Sequence, residues 1–77
     1  MTARVQVLAE DVQVGDTVVV VRPSGTRSYV VSGRQLDGAV VVLKVRAVRA
    51  SGALGREVVR TKAQGSRLTV VRAGARP

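Results

Sequence analysis

Valine fills nineteen of the 77 positions and runs unbroken at 18–21 and 40–42, with no Ile, Phe or Trp anywhere beside it. A β-branched side chain is restricted at χ1 and suits a pleated strand better than a helix. The runs are bounded by Gly, Pro, Ser and Asp clusters at 22–27, 35–38, 51–55 and 63–66. The pattern therefore predicts short strands and turns from end to end, which is an all-β fold.

Residues 4–8 alternate polar and apolar, a first strand with Val5, Val7 and Ala9 inward. Residues 10–16 are too short and broken for a stable helix and read as a tight connection, with Val12 and Val14 tucked beneath the sheet. Strands follow at 17–22, 28–34, 39–50, 56–62 and 67–72. The Asp37-Gly38 pair marks a hairpin. In the long fourth segment the phase of Leu43-Lys44-Val45-Arg46 slips by Val48-Arg49, which predicts a bulge. Five or six strands at near-regular spacing indicate a small barrel or sandwich over 1–72, with a basic tail at 73–77.

The stretch Leu8-Ala9-Glu10-Asp11-Val12-Gln13-Val14-Gly15-Asp16-Thr17-Val18 resembles the opening of many SH3-like small β-barrels. In those an apolar residue, a Gly-Asp pair and a Val lead into a long central strand. The resemblance spans the first two strands and implies a small barrel of five to six antiparallel strands. KOW-type members of that superfold bind RNA or ribosomal partners, but this chain shows no KOW signature. The resemblance carries architecture alone and assigns no functional residue.

A domain of this length buries only about 60% of the surface its unfolded chain exposes. With no Cys and no His, disulfides and most metal sites are excluded, leaving good packing or a second copy of the chain as the source of stability. The same absences argue against an enzyme. No His is present to activate a Ser or Thr, and nothing pairs Asp37 with Glu57 for acid–base work. Glu10, Asp11 and Asp16 suit turn capping better than chelation, and no glycine-rich phosphate loop is present. No cofactor is expected. No run approaches the ~20 apolar residues of a bilayer span. The start at Met1 leads straight into alternation, so a cytoplasmic protein, or a virion component if phage-encoded, is the expectation. Attachment to a membrane surface lacks the amphipathic helix it would need.

Thirteen basic residues face five acidic ones, a formal charge of +8. From residue 17 onward, twelve basic residues face only Asp37 and Glu57. Such a balance favours polyanionic partners. Eleven of the thirteen are Arg, and Asn, Ile and Phe are absent, a profile that a GC-rich genome writes, such as that of an actinobacterium or one of its phages. Codon bias accounts for Arg over Lys but not for the excess of positive over negative charge.

If Val45 and Ala47 face the core, Lys44 and Arg46 face outward, while Arg56, Arg60 and Lys62 share one face of the next strand. Lys44, Arg46, Arg60 and Lys62 are then expected to form one basic patch that tracks a phosphate backbone with little sequence preference, duplex as readily as single strand. Charge reversal at Arg46 and Arg60 should abolish such binding. Arg22 and Arg27 flank a turn beside Tyr29, the sole aromatic residue and a candidate base platform, as a second contact. A solvated strand face that keeps edges charged against aggregation accounts for the same residues. A second reading takes the runs that are apolar on both faces as surfaces for another protein or for homo-oligomerisation. Val19, Val21 and Val41 are its decisive residues, and Val19→Asp should dissolve the assembly.

Overall fold

The computed structural model describes residues 4–72. Six strands form one antiparallel sheet: β1 (Arg4–Leu8), β2 (Thr17–Arg22), β3 (Gly25–Asp37), β4 (Val40–Val48), β5 (Leu54–Ala63) and β6 (Arg67–Val71). Their order across the sheet is β1-β6-β2-β3-β4-β5. The all-β expectation holds. The barrel does not close, because β1 and β5 are the two edges of the sheet and each pairs on one side only. The tail expected at 73–77 lies outside the described residues.

The tight connection expected between β1 and β2 contains a single turn of 3-10 helix, Ala9–Asp11. Ala9 and Val12, from this turn and its exit, are fully buried, whereas Val14 is 63% exposed and Val5 is also exposed, so only part of the predicted inward set is inward. The core lies on one face of the sheet. Val18, Val31, Val41, Leu43, Val45 and Val70 join Ala9 and Val12 there, with Val7, Val20, Tyr29, Val58 and Leu68 packed against them. A single sheet has no second layer to cover its apolar face, so that face must be covered by the sheet coiling over itself and by the 3-10 turn.

The hairpin signal at Asp37-Gly38 marks the right place but not the right pair. Asp37 is still paired with Val40, so the two-residue loop is Gly38-Ala39. Gly38 sits at φ 60° while Ala39 keeps a negative φ. Glycine at the first loop position with an ordinary second residue is the type II′ pattern, which matches the twist of the flanking strands.

Two irregularities set which side chains share a face. In β3, Val31 pairs with Val45 but Gly33 pairs with Lys44, leaving Ser32 as an extra residue. The Ser32 hydroxyl lies 2.9 Å from Glu57 Oε2 and 3.2 Å from the Lys44 carbonyl oxygen, so the bulged residue ties β3 to both β4 and β5. The second irregularity falls between Arg46 and Val48, where the sequence phase slips. The bulge expected within the fourth strand lies instead in β5, which supplies the surplus residue, since Arg46 pairs with Glu57 and Val48 with Leu54.

The acidic residues near the start of the chain tie it to the segments on either side of β6. Asp16 is 3% exposed, and Arg72 reaches it with two bonds, Nε to Oδ1 at 3.0 Å and Nη2 to Oδ2 at 2.9 Å. The Gln13 N–H donates to Asp16 Oδ2 at 2.9 Å, closing the turn before β2. Burial pushes the Asp16 carboxyl up, but the Arg72 guanidinium and the Gln13 N–H outweigh it and hold the group below its ordinary value. The folded protein therefore binds this proton less tightly than the unfolded chain does. The contribution of the pair is complete above the unfolded carboxylate range near about 4 and is lost as the pH falls through the lowered folded value. Asp16→Ala is expected to cost about 2–3 kcal/mol at neutral pH, because the partly exposed Arg72 can still reach water. Urea titrations at neutral and acid pH should show the gap between wild type and variant narrowing in acid. Glu10 acts at the opposite turn, where Oε1 accepts the Gly65 N–H at 2.9 Å, and this bond holds its carboxyl below the usual range.

Candidate nucleic-acid interface

Cross-strand partners point to the same side of a sheet, so the register divides the basic residues. On β4 and β5, Leu43 pairs with Arg60 and Val41 with Lys62, which puts both cations on the core side. Lys44 pairs with Val59 and Arg46 with Glu57 on the other side. The single patch of Lys44, Arg46, Arg60 and Lys62 expected from the sequence is therefore split between opposite faces. The physical reason is strict alternation. Arg60 and Lys62 fall in phase with Val58, whose partner is the core residue Val45, and not with the outward Lys44.

The core side gains other cations in exchange. Val20 pairs with Arg27 and Val18 with Tyr29, so Arg27 and Tyr29 share the face of the core. A hollow of about 200 Å³ opens on this face. Its floor is Val18, Val20, Leu43, Val45 and Leu68, and Arg22, Arg60, Lys62 and Tyr29 border it. The hollow exists because β2 and β6 pair only through Thr17–Val71, Val18–Val70 and Val19–Thr69. Beyond that point Val20 and Arg22 have no partner on β6, and the strands part.

Tyr29 also lines a second depression, with Thr26, Arg27, Ser28 and the turn after β4 from Ala47 to Ala50. Tyr29 is thus common to two hollows, with Arg22, Arg60 and Lys62 lining one and Arg27 and Arg49 the other. Arg49 is a member the sequence reading missed, since its position depends on the register beyond the Arg46/Val48 irregularity. Arg56, exposed in the same irregular stretch, lines neither hollow.

Among the described residues no Asp or Glu lines either hollow. Asp16 is buried against Arg72, the only ion pair among the described residues. Glu10 is bonded to Gly65, and Glu57 sits across from Arg46 on the other side of the sheet. Arg34 is occupied elsewhere, donating to the Glu10 carbonyl. The cations bordering the hollows keep their charge uncompensated by any ion pair among the described residues.

The residues chosen for a protein interface do not form a surface. Val41 is 0% exposed and belongs to the core, and Val19 is 8% exposed. Only Val21, at 74%, is open to a partner. The run 18–21 is apolar on both faces because this chain itself covers Val18 and Val19, on opposite sides of β2, without a second subunit.

Among the described residues no group of acidic side chains could hold a metal ion, and no helix is long and apolar enough to cross a membrane. No family model, curated protein or solved structure matches this chain.

Proposed function

We propose that this protein is a non-enzymatic nucleic-acid-binding module on an SH3-like plan, and that it binds through the core-side mouth of its sheet. The observation that carries this reading is the set of Arg22, Arg27, Arg60 and Lys62 gathered around Tyr29 with no carboxylate among them. The single antiparallel sheet of six strands, with Ala9 of the 3-10 turn and Val12 at its exit packed into the core on its apolar face, supports the SH3-like plan. Cations brought close without counter-charges repel one another and lower stability, so a polyanion that neutralises them is favoured. Phosphate contacts of this kind carry affinity but little sequence information.

The test is fluorescence anisotropy of labelled DNA and RNA across a salt series. Log affinity should fall linearly with log salt, with a slope of about −3 for the four or so phosphates this surface can neutralise. Absence of binding at low salt would assign the charge to solubility or to a protein partner. Assembly through Val19, Val21 and Val41 finds less support, since two of the three are buried.

A further inference from the structure

We infer that the ligand of this surface is single-stranded nucleic acid, with one base seated in the hollow against Tyr29. The inference rests on the nucleic-acid reading and narrows it. The cations do not lie on a flat or convex face, where a duplex could lay its phosphates. They stand around a hollow whose floor is apolar. A duplex keeps its bases paired and stacked inside and turns its phosphates outward, so it reaches the rim and leaves the floor empty. A single strand can turn a base inward while its phosphates meet the rim.

Charge and shape agree on this occupant. Phosphates on either side of the seated base would meet Arg22, Arg60 and Lys62 on one side and Arg27 and Arg49 on the other. Tyr29, in register between Val18 and Ala47, is half-buried against the core and gives its remaining area to both hollows. Cations lining two hollows that share one aromatic ring suit a chain carrying several phosphates, not a free mononucleotide.

Tyr29 is the only aromatic residue, so its own emission reports the stack directly. The experiment compares a short single strand, as DNA and as RNA, with the duplex of the same sequence and with a strand carrying one abasic nucleotide. Single strands of either sugar should bind at least about tenfold tighter than the duplex and quench tyrosine emission, in the range that stacking of one base supplies. Tyr29→Phe should keep the preference. Tyr29→Leu, which retains apolar bulk against Val18 and Ala47, should lose it. Circular dichroism of each variant reads the fold separately. Equal binding of duplex and single strand with unchanged emission would overturn the seated base while leaving the phosphate-binding surface standing. Binding of neither at low salt would overturn both.

Discussion

Reversing Arg60 and Lys62 together to Glu is expected to lower nucleic-acid affinity by roughly 100-fold, while Lys44→Glu changes it less than about threefold. Each charge-assisted contact to a phosphate contributes about 1.5 kcal/mol or more, and two lost contacts give that ratio. The contrast follows from register alone. Arg60 and Lys62 pair with Leu43 and Val41 on the core side, and Lys44 pairs with Val59 on the other. Neither Arg60 nor Lys62 takes part in an ion pair among the described residues, so reversal should cost little stability. On the outer face, Arg46→Gln is the cleaner companion to Lys44→Glu. Arg46→Glu would set a second carboxylate directly across from Glu57, and like charges in that position destabilise a sheet. Anisotropy at fixed low salt, with urea midpoints for each variant, makes the comparison. Equal loss from the two faces would mean that binding follows net charge and not this surface.

The same register explains what a reader of the sequence could and could not see. Strand content was legible because Val runs broken by Gly, Pro and Asp leave a chain few alternatives to short strands. The irregularity near Val48 was legible too, since the apolar phase visibly slips there. The Ser32 bulge was not. Val30-Val31-Ser32-Gly33 carries no break in pattern, and the bulge shows only in the pairing of Val31 with Val45 and Gly33 with Lys44. Exposure was the least legible property. Val18 and Val19 lie on opposite sides of β2 and are both buried, yet Val21, on the side of Val19, is open. Identical side chains in one run differ because β6 flanks β2 only as far as Val19. The same early end to pairing opens the hollow, with Val20 half-buried and Arg22 exposed beside it. A pattern of residue types does not encode where a neighbouring strand stops. Open edges at β1 and β5 were hidden for a similar reason, since strand count alone does not close a barrel.

Val41→Asp is expected to unfold the protein, and Val21→Asp to leave it folded with a stability within about 0.5 kcal/mol of wild type. Val41 is fully buried between Leu36 of β3 and Lys62 of β5, and it belongs to the one core cluster the sheet possesses. A carboxylate there would lose its hydration and several kcal/mol with it, or take up a proton and remain a polar group among valines. A domain of this size holds only about 5 kcal/mol in total, so the loss exceeds the reserve. Val19→Asp should behave like Val41→Asp, being 8% exposed. Loss of an assembly after either substitution would therefore report unfolding of the subunit and say nothing about an interface. Val21→Asp separates the two, since its side chain meets water and its backbone pairing with Thr26 is unchanged. Circular dichroism and light scattering on the three variants decide it. If Val21→Asp alone dissociates a folded oligomer, the side of β2 that carries Val19 and Val21 is a protein interface, and the positive mouth must then be judged within that assembly. If it stays folded and its scattering matches wild type, the valines of β2 serve the fold of a single chain.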